Sequence, residues 1–113
     1  MTLDNPSQQR KYPRYRCNQK LCARYRIDGQ YFIAFGRCTT VGKGGIGAFL
    51  TAELPLGQVA SLEISLSASG VPQPVKAQVK NRRGQNYGFQ FVELPERASA
   101  GLRLLFQPAA AVV

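Results

Sequence analysis

Strict alternation of apolar and polar residues is the feature that most constrains this chain. Ala60, Leu62, Ile64, Leu66 and Ala68 alternate with Ser61, Glu63, Ser65 and Ser67. A helix with that pattern would scatter its apolar side chains around its circumference, whereas a strand puts all of them on one face. The same two-residue period appears in Leu21, Ala23, Tyr25 and Ile27, opposed by Lys20, Cys22, Arg24 and Arg26. It returns in Ile46, Ala48, Leu50, Ala52 and Leu54, then in Val75, Ala77 and Val79, and again in Tyr87, Phe89 and Phe91. Residues 31–41 read as a further strand, apolar on both faces at Tyr31-Phe32-Ile33-Ala34-Phe35.

Turn chemistry separates these segments. Asp28-Gly29 is a hairpin signal, because both central positions of a tight two-residue turn require positive φ. Gly42-Lys43-Gly44-Gly45-Ile46-Gly47 is a glycine-dense turn, Pro55-Leu56-Gly57 punctuates, residues 70–74 form a loop and residues 81–85 a turn. Six strands joined mostly by hairpin-sized turns predict an all-β antiparallel barrel or sandwich. Pro95 and Glu96 suit the start of a helix, and Ala98, Leu102 and Leu105 share one helical face, which predicts a C-terminal amphipathic helix over residues 95–106 lying on the barrel. Gly101 inside it costs about 1 kcal/mol relative to alanine. The expected organisation is a mobile polar tail at 1–9, one domain at 10–107 and a short tail at 108–113.

Composition narrows the function. The 113 residues include 15 Lys+Arg, 6 Asp+Glu and no histidine, for a net charge of +9. Without histidine, Ser/His and Cys/His catalysis and histidine-ligated zinc are absent, so the expectation is a protein that is not an enzyme. Cys17, Cys22 and Cys38 form no CxxC and lack an evident fourth ligand, so neither a disulfide framework nor a metal site is expected, and no cofactor is implied. No run approaches the length needed to span a bilayer, and the first residues lack the features of a secretory signal, which points to a cytoplasmic protein without a membrane partner. The charge favours an anionic partner, and Arg10, Lys11, Arg14, Arg16, Lys20, Arg24 and Arg26 lie in an acid-free stretch.

Two segments carry candidate chemistry. The first is Arg10-Lys11-Tyr12-Pro13-Arg14-Tyr15-Arg16, in which arginines four apart can clamp one anion and grip guanine O6 and N7 through the planar fork of donors. The second is Thr40-Val41-Gly42-Lys43-Gly44-Gly45, whose glycines let the backbone approach a ligand while Lys43 adds a point charge. It lacks the spacing and the Lys-Ser/Thr pair of a Walker loop.

Together, in this order, the two segments resemble the PilZ domain family. That family has RxxxR ahead of the first strand, D/NxSxxG after the second, a six-stranded antiparallel split barrel and a C-terminal α-helix. Arg10 and Arg14 fill the first motif, and Tyr87-Gly88-Phe89-Gln90-Phe91-Val92-Glu93-Leu94 looks like the last barrel strand. PilZ domains are receptors for cyclic di-GMP. The resemblance therefore implies that Arg10 and Arg14 hold guanine edges and phosphates. Residues 10–16, including Arg16, would fold over the nucleotide, and Thr40, Gly42, Lys43 and Gly45 would meet its other side. It implies an adaptor that changes the surface offered to a protein partner when the ligand binds.

The second motif departs from the family: Thr40 stands where the acid or amide belongs and Gly42 where the serine belongs, with only Gly45 matching. Loss of two buried polar contacts weakens binding by about 2–6 kcal/mol. The alternative is thus a degenerate PilZ domain that binds no nucleotide and serves as a protein-interaction module. A third reading, a small basic barrel that binds single-stranded nucleic acid, rests on Tyr12, Tyr15, Tyr25, Tyr31 and Phe32 near basic residues.

Overall fold

The structure, a computed structural model, describes residues 13–65 and 73–94. Its strands are β1 (Tyr15–Ile27), β2 (Gln30–Val41), β3 (Gly45–Leu50), β4 (Val59–Ile64), β5 (Gln73–Arg83) and β6 (Asn86–Glu93). They close into a barrel in the order β1-β2-β3-β6-β5-β4, every neighbouring pair antiparallel. Of the two architectures that the alternation allows, closure selects the barrel, which leaves no sheet edge running its full length. The expected helix at 95–106 and the tails at 1–9 and 108–113 lie outside the described residues.

The inward positions of the alternation form the core. Phe89, Ile46, Leu50 and Leu62 are fully buried, and each contributes about 1.5–3 kcal/mol by leaving water. Among the described residues the only buried side chains with a hydroxyl are Tyr25 and Tyr87, and no charged or amide side chain is buried. The β1–β2 connection is the tight hairpin expected of Asp28-Gly29, with φ of 50° and 83°.

Several boundaries differ from the sequence reading: β3 already begins at Gly45, inside the segment expected as a glycine turn, and β5 at Gln73, inside the expected loop 70–74. Three more have a local reason. β1 begins at Tyr15, so Tyr15 and Arg16 are strand residues and do not precede the first strand. A bulge between Arg16 and Gln19 inserts an extra residue and breaks the two-residue period there. β3 stops at Leu50, yet Leu54 is buried because the loop after the strand is pinned: the Tyr87 hydroxyl donates to Ala52 O at 2.6 Å and accepts from the Leu54 amide at 3.0 Å. β5 runs through Asn81, Arg82 and Arg83, and the turn shrinks to Gly84-Gln85. Those three residues are exposed side chains at the tip of a hairpin, where strand and turn share the same composition.

Candidate functional site

The cross-strand register brings together residues far apart in sequence. Arg16 lies opposite Thr40, Thr40 opposite Gly47, Gly47 opposite Gly88, and Gly88 opposite Asn81. Directly opposed residues share a face, so these five form one row across the outside of β1, β2, β3, β6 and β5. The two glycines at its centre leave bare backbone as a floor. Polar groups lean in from both sides: a Cβ on Gly47 would meet Thr40 Oγ1 at 2.6 Å, and one on Gly88 would meet the Asn81 amide at 2.5 Å.

This trough is the base of a cleft of about 430 Å³, lined also by Arg14, Thr39, Arg83, Asn86 and Tyr87, within the roughly 300–1,000 Å³ typical of small-molecule sites. Among the described residues its lining contains two arginines and no carboxylate. Arg14 is half-buried, and its Nη1 donates to Thr40 Oγ1 at 3.3 Å. Across the trough, Arg83 is exposed and has no hydrogen-bond or ion-pair partner among the described residues; the same holds for Arg16. Its neighbour Arg82 is committed elsewhere, to Gly84 O at 2.8 Å, Glu53 at 3.8 Å and the face of Tyr87 at 5.2 Å. The cleft can therefore receive an anion with several hydrogen-bond acceptors, held by guanidinium groups from both sides and by amides from Asn81 and Asn86.

The sequence-derived candidates divide by position. Arg14 and Thr40 line the cleft, and Arg16 stands beside Thr40 in the row. Gly42 is buried beneath Pro13 and Arg14, the arginine arm that leads into β1: a Cβ there would lie 2.8 Å from Pro13 O and 3.1 Å from Arg14 Cδ. Gly45 is buried against β6, where a Cβ would collide with the Phe89 carbonyl. Both glycines let backbone segments approach, and Lys43 is exposed on the turn between them. Arg10 lies outside the described residues. Gly47, Gly88, Asn81, Arg83 and Asn86 are site residues that sequence reasoning does not single out. The available signal was glycine interrupting two otherwise apolar-alternating strands, which marks close approach by a ligand or another backbone.

Of the aromatic residues behind the nucleic-acid reading, Tyr25 is buried and stacked on Phe32 with centroids 5.5 Å apart, and Tyr15 packs against the core. Tyr31 is exposed, with Arg26 over one face of its ring at 5.4 Å, and Tyr12 lies outside the described residues.

Beneath the arginine arm, Cys17 Sγ and Cys38 Sγ are 3.1 Å apart, and Cys38 Sγ also reaches Thr40 O at 3.4 Å. Cys17, Cys22 and Cys38 are all free thiols. A hydrogen bond from Cys38 stabilises the Cys17 thiolate and lowers its pKa, with burial opposing. The same hydrogen bond, followed by burial, raises the Cys38 thiol well above its ordinary range, and nearby Arg14 offsets part of that rise. Among the described residues no group of three or more Cys, Asp or Glu side chains converges to hold a metal.

Fold and site together define a small closed barrel with an anion-receiving cleft on its outer wall and an arginine arm across one side. The chain matches the PilZ domain model over residues 8–107, nearly its whole length, and belongs to that family. Solved structures agree with the fold. The chain is similar to the PilZ domain with c-di-GMP of YcgR from Escherichia coli (22% identity, 88% of this chain and 90% of that one, TM-score 0.66). It is also similar to the PilZ domain of CeSA from a cellulose-synthesizing bacterium (17% identity, 82% and 94%, TM-score 0.63). The inhibitor of motility MotI/DgrA from Bacillus subtilis shares 16% identity over 86% of this chain and 48% of its own, with a TM-score of 0.59. No curated protein matches significantly.

Proposed function

We propose that this chain is a cyclic di-GMP receptor of the adaptor type, with no chemical step of its own. The observation that carries the reading is Arg14 held by Thr40 at a cleft whose far side presents Arg83, with no carboxylate in the lining and no partner for Arg83 among the described residues. A cyclic dinucleotide offers two phosphates to guanidinium groups and two guanine edges whose O6 and N7 accept bidentate donors. Arg10 belongs to the same motif by sequence, four residues before Arg14. Family membership supports the receptor role, and the ligand in the YcgR PilZ structure supports the choice of nucleotide.

Ligand binding changes the surface by drawing the segment at residues 10–16 over the nucleotide, which biases the states available to a partner protein. No helix among the described residues is long and apolar enough to cross a membrane; action in the cytoplasm is part of this proposal. Calorimetric titration of cyclic di-GMP at moderate salt tests the reading. Binding that weakens as salt rises supports it, because exposed guanidinium–phosphate attraction is screened. Absence of heat up to several hundred micromolar nucleotide rejects it.

One observation favours the second reading, an interaction module that binds no nucleotide. Gly42 packs under Pro13 and Arg14 where the family carries serine, and the Thr40 hydroxyl is already engaged by Arg14. Under that reading the nucleotide titration is silent while partner capture is unchanged by added nucleotide.

A further inference from the structure

β2 outruns its neighbour. Its pairing with β3 ends at Gly36 opposite Leu50, while its pairing with β1 continues to the hairpin at Ile27 opposite Gln30. Among the described residues, 30–35 therefore have a strand on one side only. Phe35 O accepts from the Thr51 amide at 3.3 Å and from the Thr51 hydroxyl at 3.2 Å, so that carbonyl faces the open side. Backbone groups alternate sides along an antiparallel strand, so the N–H and C=O of Ile33 and Tyr31 face the same way. They have no hydrogen-bond partner there among the described residues.

Such an edge is ordinarily blunted by lysine, proline or a bulge. Residues 30–35 read Gln-Tyr-Phe-Ile-Ala-Phe, and the bulges of β2's pairings lie elsewhere. The outward side chains are apolar and solvent-exposed: Tyr31 78%, Ile33 50% and Phe35 64%, continued by Phe49 at 39%. Phe49 is two residues along β3 from Gly47, so this strip abuts the cleft.

From this edge we infer that residues 30–35 are the docking strip for an extended, acidic segment of a partner protein, which adds to β2 as a further strand. This deepens the adaptor reading and rests on it. Strand addition supplies the hydrogen bonds that Tyr31 and Ile33 lack among the described residues, and the apolar stripe gives the segment something to bury. Charge selects the occupant. Arg26 and Arg24 lie opposite Tyr31 and Ile33 on β1, and Arg37 follows Phe35 on β2. Arg24 pairs with Glu63 at 3.7 Å, but Arg26 and Arg37 reach only Tyr31 and Asn18 and meet no carboxylate among the described residues. A second copy of this chain would bring those arginines against their own equivalents at a net charge of +9 per chain, whereas an acidic segment is drawn to them.

The test uses the full chain without nucleotide, so that its failure is separate from failure of the receptor reading. A fluorescein-labelled peptide alternating Val and Glu is titrated and followed by anisotropy, with a Val–Lys peptide as control, and amide exchange is recorded with and without the acidic peptide. The acidic peptide alone should bind and protect the amides of Tyr31 and Ile33. Ile33→Pro, which removes a donor and blocks the edge, should weaken it roughly tenfold or more. Arg26→Glu with Arg37→Glu, which leaves the backbone edge intact, should reverse the preference between the peptides. Equal binding of both peptides, protection elsewhere, or a concentration-dependent dimer lost in Ile33→Pro overturns the inference.

Discussion

Arg14 Nη1 donates to Thr40 Oγ1 at 3.3 Å, and that hydroxyl occupies the space where a side chain on Gly47 would begin, 2.6 Å from the Cβ position. A strand residue, an arm residue and a missing side chain on the next strand thus set one another's positions. Thr40→Val keeps the shape and removes the acceptor, which costs about 0.5–1.5 kcal/mol of the arm's attachment. Cyclic di-GMP affinity should fall about threefold to tenfold by calorimetry. Unchanged affinity would show that the contact does not position Arg14.

Two strand glycines, Gly88 on β6 and Gly45 on β3, should respond differently to alanine. At Gly88 the new Cβ meets the end of Asn81, an exposed side chain that can rotate away, so Gly88→Ala should alter stability by no more than about 1 kcal/mol. It fills the trough, and nucleotide affinity should drop. At Gly45 the Cβ meets the Phe89 carbonyl, which is backbone held in the β3–β6 ladder, so Gly45→Ala should cost about 3 kcal/mol. Urea denaturation of both variants checks the order.

Gly42→Ser restores the family residue but does not fit the present arm, because its Cβ lies 2.8 Å from Pro13 O. The arm must lift, and Arg14 must leave Thr40. Proteolysis near residue 14 should quicken in this variant in the absence of nucleotide. If Gly42→Ser instead protects the arm, the packing of Pro13 over Gly42 is not what holds it.

The Cys17–Cys38 pair gives stability a pH dependence with a maximum. Cys17 is lowered and Cys38 raised relative to unfolded thiols near pH 8.5. Between the folded value for Cys17 and about pH 8.5 the unfolded chain holds more protons, so the pair's contribution grows with pH. Above that, the unfolded chain loses both thiol protons while folded Cys38 keeps its own, and the contribution declines. Urea midpoints across this range, compared with those of Cys17→Ser/Cys38→Ala, should give a difference that rises and then falls.

Much of the barrel is legible in residue order. Alternation marks the inward faces, and Asp28-Gly29 specifies its turn by conformational requirement. What the chain does not display is lateral register. Gly47 and Gly88 are 41 positions apart, and nothing local says that they lie opposite each other or that Thr40 and Asn81 flank them. Arg14 was legible through its spacing from Arg10. Arg83 is indistinguishable by sequence from solvated turn charge, because only the cross-strand geometry separates it from Arg82. The bulge after Arg16 hid the start of β1 by breaking the period on which the reading depended.

The most direct test of the account is amide shift mapping of the full chain during titration with cyclic di-GMP. The largest changes should fall on Thr40, Gly47, Asn81 and Gly88, with the Arg14 arm following, and should vanish in Arg14→Ala. Changes confined to other faces of the barrel, or none at several hundred micromolar nucleotide, would contradict it.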